Sequence, residues 1–163
     1  MVNIAKLFLY NIILDTMVTF IKAYTNPNKY AQYISTKEIV ADIKVDLNGI
    51  NRLITQIESG IEIKAIVIVK HPKKNYYAVL DGHHRFWAQK ILGYDKMKCA
   101  VIEDFFGLGF HLTRNGIFQP DPKITKYIRI PLKRIYSYIT EFINEPEKTI
   151  NKMNRIKKKF DQL

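Results

Sequence analysis

The densest group of side chains able to do chemistry is the run Asp81-Gly82-His83-His84-Arg85, called the DGHHR turn below. It follows an apolar strand pattern and precedes a helical pattern, so we expect a strand-to-helix turn. Backbone N–H groups at a helix start have no intrahelical partner, and the helix dipole adds partial positive charge there. Gly82 allows close backbone approach to an anion, Arg85 can fork two phosphate oxygens, and both histidines can donate hydrogen bonds. This combination predicts a phosphate-binding turn.

Asp81 has two interpretations. An ionised carboxylate only accepts hydrogen bonds and suits a Mg²⁺ ion or one of its waters. Alternatively, Asp81 is the N-cap of the following helix, a common role for aspartate, and His83 and His84 are ordinary, partly buried histidines. Five polar or glycine residues in a row directly after an apolar strand have no packing motive, which favours the functional interpretation.

The elements around this turn predict a small mixed α/β domain. The apolar spacing indicates one helix before the turn and one after it, ended by Gly60 and Gly93 respectively, with strands between them. The predicted order begins with a helix from about Asn48, a strand over Ile61–Lys70, a hairpin turn over His71–Asn75 and a strand over Tyr76–Leu80. After the turn come the second helix, to about Leu92, and a strand over Lys98–Ile102. Trp87 of the second helix is predicted to lie in the core.

Both ends of the chain read as extensions of this core. We expect an apolar helix over Ala5–Ala23 that packs on the domain or on a second copy of the chain, since its apolar run is too short to span a membrane. The remaining predictions are a short strand or turn within Ile34–Ile43, a loop over Gly107–Pro122, a helix opened by Pro131 and broken by Pro146, and a final basic helix. The predicted units are residues 1–30, 31–105 and 106–163, the last completing the site.

Composition limits the possible classes. The 163 residues are 47% apolar and 25% charged, which is typical of a globular protein. The net charge of +11 suggests an anionic partner, but about half of it lies in the last tenth of the chain. That segment is either a solvated basic helix, which we favour, or a polyanion site. The single Cys99 excludes an intramolecular disulfide and a multi-cysteine zinc site, and favours a reducing, cytoplasmic setting.

The layout of two strands, the DGHHR turn, a helix and Leu92-Gly93 resembles the ParB/sulfiredoxin fold over about Ile34 to Asp104. The form of the turn is similar to that of the archaeal free serine kinases of this fold. The resemblance implies transfer of a phosphoryl group from ATP or ADP to free L-serine, giving O-phosphoserine for cysteine synthesis. Sulfiredoxins carry a cysteine where His83 stands, so sulfiredoxin activity is not expected.

The resemblance also implies roles for individual residues. Gly82, His83, His84 and Arg85 would cradle the nucleotide phosphates, and His83 would also take part in catalysis. Asp81 would serve Mg²⁺ or its water shell. In the family the base is an acid shortly before the first helix, where this sequence has no clean match to the family pattern. Among the available acids Asp42 lies nearest to that helix, Glu38 is the second candidate, and Asp46 is also present.

We expect the residues that bind the amino-acid substrate in the polar loop between Gly109 and Gly116. Thr113 and Arg114 in that loop can bind a carboxylate, whereas a surface turn without a role is an equal alternative. Thr125, Lys126 and Arg129 are weaker candidates of the same kind.

Two functions follow from these features. The first is a Mg²⁺-dependent free serine kinase, which we favour. The alternative is a ParB-like nucleic-acid-binding protein or nuclease that uses the basic C-terminal segment, a role that a salt-sensitive affinity for DNA would reveal.

Overall fold

The computed structural model describes residues 18–103, 108, 110–120 and 130–160, with no account of the side chains at 20, 112, 130–134, 159 and 160. A mixed five-stranded sheet forms the centre of the described fold. Its strands are β1 (Ala31–Ser35), β2 (Ile39–Val40), β3 (Ile66–Lys70), β4 (Tyr77–Asp81) and β5 (Lys96–Ile102), in the spatial order β1-β5-β3-β4-β2. The predicted α/β class with a small mixed sheet is confirmed.

Helices flank this sheet, and two of the described helices follow it in the chain. The helices are α1 (Phe20–Thr25), α2 (Leu47–Glu58), α3 (His83–Ile91), α4 (Ile130–Asn144) and α5 (Pro146–Phe160), with short 3₁₀ turns at Pro27–Tyr30 and Thr36–Glu38. A separate hairpin consists of β6 (Phe110–Leu112) and β7 (Phe118–Pro120). Among the described residues, no helix combines the length and the apolar character that crossing a membrane requires.

The pairing of the strands brings two distant segments together. Strand β2 runs parallel to β4, with Val40 opposite Ala78, so both strands end at the same edge of the sheet. The loop after β2 therefore emerges beside the DGHHR turn after β4. Strand β3 runs antiparallel to β4, with Val67 opposite Asp81, and so begins at that edge too.

The core lies on both faces of the central strands. Val67 and Ile68 are adjacent in β3 and both are fully buried, which requires cover on both faces because neighbouring strand residues point to opposite sides. Helix α3 contacts β3 and β4, and α4 also contacts β4. Trp87 is fully buried, as predicted.

Several predicted boundaries differ from the structure. Strand β3 begins at Ile66 rather than Ile61, because Ile61–Lys64 precede the pairing with β4 and β5 and are largely exposed. The loop predicted over Gly107–Pro122 contains the β6–β7 hairpin, whose turn includes Gly116 at φ +77°. α4 ends at Asn144, and Pro146 is the first residue of α5, a position where its missing N–H costs nothing.

The predicted N-terminal helix falls mostly outside the described residues. Within them, α1 continues to Thr25, two residues beyond the predicted end at Ala23, and Asn26-Pro27 follow it. The predicted strand or turn within Ile34–Ile43 comprises the end of β1, a 3₁₀ turn and the two-residue β2. The proposed division into three units stays a prediction.

His71 joins the β3–β4 turn to the end of α4. Its Nε2 lies 2.9 Å from the carbonyl oxygen of Ile143, and its Nδ1 accepts the backbone N–H groups of Lys73 and Lys74, both at 3.0 Å. Nδ1 therefore carries no proton, and Nε2 donates to Ile143. Burial lowers the pKa of His71 below its ordinary value of 6.5, and the charges of the two lysines act in the same direction against the opposing hydrogen bond to Ile143.

This arrangement predicts a loss of stability in mild acid. A folded-state pKa below the unfolded value means that the unfolded chain binds the proton first, so the contribution of His71 is complete above about pH 6.5 and declines below it. Denaturant unfolding between pH 7 and pH 5 should show a decline of at most about 1.4 kcal/mol per pH unit from this group. In His71→Gln that part of the decline should be absent, and an equal pH dependence in both proteins would contradict the assignment.

Candidate active site

The DGHHR turn is held by its own arginine. Arg85 donates from Nη2 to Asp81 Oδ2 at 2.8 Å, and from Nη1 to the carbonyl oxygens of Lys64 and Ala65 at 2.9 and 2.8 Å. The Arg85 side chain is only 15% exposed, whereas that of Asp81 is 41% exposed. The guanidinium thus ties the end of β4 to the chain entering β3. That Arg85 also donates to two phosphate oxygens stays a prediction.

Gly82 makes this closure possible. Its φ is +96°, in the left-handed region, and it is the N-cap of α3 without any side-chain cap. An added Cβ would lie 2.8 Å from Arg85 Nη2 and 2.8 Å from Ile66 Cγ2. A side chain at this position is therefore opposed both by the backbone conformation and by two close neighbours.

Both histidines of the turn hold the loop that follows β2. The backbone N–H of Asp42 donates to His83 Nδ1 at 3.1 Å, and that of Asp46 donates to His84 Nε2 at 3.2 Å. A ring nitrogen that accepts an N–H carries no proton, so neutral His83 is protonated on Nε2 and neutral His84 on Nδ1. We call these two bonds the histidine clamp. It joins residues 41 and 38 positions apart in the chain.

Asp42 is fixed from more than one direction. The indole N–H of Trp87 donates to its carbonyl oxygen at 3.0 Å, and the backbone N–H of Lys44 donates to its Oδ1 at 3.2 Å. Asp46 has a different role, because its carboxylate accepts the N–H groups of Asn48 and Gly49 and caps α2. The structure thus separates these two acids into one at the site and one that caps a helix.

Gly49 is a residue of the site that the sequence analysis missed. A Cβ there would lie 2.9 Å from His84 Cδ2, so its absence lets the imidazole sit against the first turn of α2. Glycine within a helix costs about 1 kcal/mol relative to alanine. A glycine in the first turn of a predicted amphipathic helix was therefore the available indication of a close neighbour.

A cavity of about 470 Å³, called the box cavity below, opens at this edge of the sheet. The whole DGHHR turn and Asp42 line it, so it unites residues from two distant parts of the sequence. The remaining described lining residues are Lys44, Val45, Leu53 and Ile135.

Three predicted site residues lie away from this cavity. Glu38 accepts a hydrogen bond from Asn75 Nδ2 at 2.9 Å and does not line it. Thr113 is in the β6–β7 connection, where its hydroxyl accepts the N–H of Ile117 at 3.1 Å, and Arg114 is exposed in the same turn. Thr125, Lys126 and Arg129 lie outside the described residues.

The residues present can serve Mg²⁺ only together with a substrate. No group of three or more potential ligand side chains converges within the part of the chain that the structure describes. Mg²⁺ commonly binds one or two carboxylates and takes its other ligands from phosphates and waters. The half-exposed Asp81 carboxylate in the box cavity fits that pattern. Cys99 does not contribute, since burial raises the pKa of its thiol to about 12.

Similarity to known proteins agrees with the predicted resemblance. A 40-residue segment, 24% of this chain, is 45% identical to an ATP-dependent L-serine kinase of Desulfurococcus mucosus, covering 16% of that protein. A longer segment of 104 residues, 63% of this chain, is 27% identical to a ParB-like protein of Sulfolobus acidocaldarius, covering 50% of it. The chain thus matches half or less of the length of these curated relatives. No protein-family model matches the chain.

Among solved structures, a free serine kinase in complex with AMP is similar with a TM-score of 0.43 and 22% sequence identity. The similarity covers 46% of this chain and 32% of that protein. The two curated relatives confirm the resemblance to serine kinases and ParB-like proteins that the sequence predicts.

The close packing around Gly82 can be separated from its backbone conformation. Gly60 also has a left-handed φ, +78°, but a Cβ there would meet nothing within 4 Å. We expect Gly60→Ala to lower the free energy of unfolding by about 1 kcal/mol from backbone strain alone. Gly82→Ala should lower it by about 3 kcal/mol, because overpacking adds to the same strain. Equal losses in urea unfolding would contradict the role of Gly82 in closing the turn.

Proposed function

We propose that this protein is a free L-serine kinase that transfers a phosphoryl group from ATP or ADP to the serine hydroxyl. The observation that carries the proposal is the box cavity, which is lined both by the strand-to-helix DGHHR turn and by Asp42. Phosphoryl transfer needs a phosphate cradle, a metal and a group that orients the acceptor hydroxyl. The similarity of a 40-residue segment to an ATP-dependent L-serine kinase supports this choice of reaction.

The phosphates would rest on the N-terminus of α3. The N-cap Gly82 provides no side chain to satisfy the first N–H groups of that helix, so they are suited to an anion. His83 donates only from Nε2, because its Nδ1 is occupied by Asp42. Arg85 adds positive charge at the wall of the cavity while it braces Asp81.

The acceptor would meet Asp42. In the proposed step the serine Oγ forms a bond to the transferred phosphorus as the bond from that phosphorus to the bridging oxygen breaks. The bridging oxygen leaves with the bonding electron pair on ADP, or on AMP if ADP is the donor. Asp42 orients the hydroxyl and takes its proton late, which asks for position rather than an unusual basicity.

Mg²⁺ would be held by Asp81 together with phosphate oxygens and waters, and would offset negative charge on the phosphates. The contact of Asp81 with Arg85 fixes the carboxylate at the mouth of the turn. The product, O-phosphoserine, would supply cysteine synthesis.

The direct test is an NMR assay for O-phosphoserine with purified protein, Mg²⁺, L-serine and either ATP or ADP. We expect product, and a loss of about 10²- to 10⁴-fold in kcat for Asp42→Asn, the usual range for removing a general base. Asp81→Asn should also reduce turnover and raise the Mg²⁺ concentration that is required. Glu58→Gln, at an exposed position at the end of α2, is the matched control and should retain activity.

The outcome for Glu38→Gln separates the two candidate bases. A larger loss there than in Asp42→Asn would contradict the role of Asp42. Absence of O-phosphoserine with both nucleotides, in a sample whose unfolding is cooperative, would contradict the kinase and leave the nucleic-acid hypothesis, which stays a prediction.

A further inference from the structure

A second cavity, of about 620 Å³, is lined by the loop after β2 and by helices α4 and α5 with their connection. We call it the interhelix cavity. Asp42 and Lys44 line both this cavity and the box cavity. A molecule in either cavity can therefore contact Asp42.

The two helices give this cavity walls of opposite charge. Glu141 lies in the last turn of α4 and Glu145 directly after the end of that helix, and Lys148 and Lys152 lie one turn apart on α5. Lys152 Nζ is 2.5 Å from Glu141 Oε1, and Lys148 Nζ is 3.5 Å from the same oxygen and 3.3 Å from Glu145 Oε1. The lysine side chains are 43% and 52% exposed, so a ligand can reach them.

Other polar groups of this cavity maintain the fold. The hydroxyl of Tyr138 donates to the carbonyl oxygen of Val40 at 2.8 Å. The amide of Asn144 is engaged at both ends, with Nδ2 and Oδ1 bonded to the backbone of Phe118 at 2.9 and 3.0 Å. The hydroxyl of Thr149 donates to the carbonyl oxygen of Glu145. The two glutamates and the two lysines are thus the groups best suited to bind a ligand.

We propose that the interhelix cavity binds the acceptor as a zwitterionic amino acid, with its carboxylate on Lys148 and Lys152 and its ammonium on Glu141. This inference rests on the proposed kinase function. A zwitterion offers one charge to each wall and leaves the total charge of the cavity unchanged, whereas a nucleotide phosphate would face the glutamates. The ion pairs that the ligand replaces are partly solvated, and such pairs contribute little to stability.

This placement differs from the sequence prediction that put the grip on the amino acid at Thr113 and Arg114. Neither residue lines either cavity beside Asp42. The interhelix cavity is lined by Asp42 but by no residue of the DGHHR turn, so an amino acid bound there lies beside Asp42 without occupying that turn. The side-chain hydroxyl can then point back to Asp42 and the phosphate cavity.

The test compares KM for L-serine with KM for serinamide, which lacks the carboxylate charge. Formation of the phosphorylated product of each acceptor is followed by NMR. We expect Lys152→Met to raise KM for L-serine about 10- to 100-fold, the effect of losing one charge-assisted hydrogen bond. KM for the nucleotide should stay unchanged. KM for serinamide should hardly change, because the deleted partner has no carboxylate to bind. Lys152→Arg should restore most of the affinity.

Two controls make the outcome specific. Lys158→Met removes a lysine from an exposed position of α5 that does not line the cavity, and should leave KM for L-serine unchanged. Glu141→Gln should weaken L-serine but not N-acetylserine, which lacks the ammonium group.

Other results would overturn the inference. A parallel rise of KM for L-serine and serinamide in Lys152→Met would indicate a structural role for this lysine. A rise in KM in Arg114→Met with no change in Lys152→Met would return the grip to the β6–β7 turn. If the wild-type protein makes no O-phosphoserine, the proposed function itself is contradicted. If the wild-type protein is active but Lys152→Met leaves KM for L-serine unchanged, only the proposed binding site is contradicted.

Discussion

Two hydrogen bonds from backbone N–H groups to imidazole nitrogens hold the candidate site together. Through them His83 and His84 bind the N–H groups of Asp42 and Asp46, and thereby fasten the acid-bearing loop to the DGHHR turn. Each bond uses an unprotonated ring nitrogen and fixes one neutral tautomer. The same histidines that the sequence suggests as phosphate ligands are thus also the groups that position the candidate base.

The histidine clamp joins two segments that the surrounding fold already holds in place, the loop after β2 and the DGHHR turn. Parallel pairing of β2 with β4 brings the two loops to one edge, and Arg85 ties the turn to the chain entering β3. Trp87, buried in the core, holds the carbonyl oxygen of Asp42. These bonds order the loop in advance, and under the proposed function such preorganisation would favour catalysis by positioning.

Local sequence patterns predicted the elements and the turn, but not the contacts between them. The apolar spacing and Gly93 located α3, and the polar run after an apolar strand located the turn. Which acid faces that turn depends on parallel pairing between β2 and β4, and β2 has only two residues. The role of Gly49 follows from where His84 packs, and the charged walls follow from how α4 packs on α5. Such long-range contacts are not visible in local periodicity.

The most direct measurement is a long-range ¹H–¹⁵N NMR correlation of the histidine side chains at pH 8, which reports the tautomer of each neutral imidazole. The account predicts opposite tautomers for the adjacent residues, with His83 protonated on Nε2 and His84 protonated on Nδ1. In Gly49→Ala the added methyl group should displace the ring of His84 and break its bond to the N–H of Asp46. His84 should then no longer be held in the Nδ1–H tautomer. Two histidines in the same tautomer would contradict the clamp, and with it the account of how Asp42 reaches the DGHHR turn.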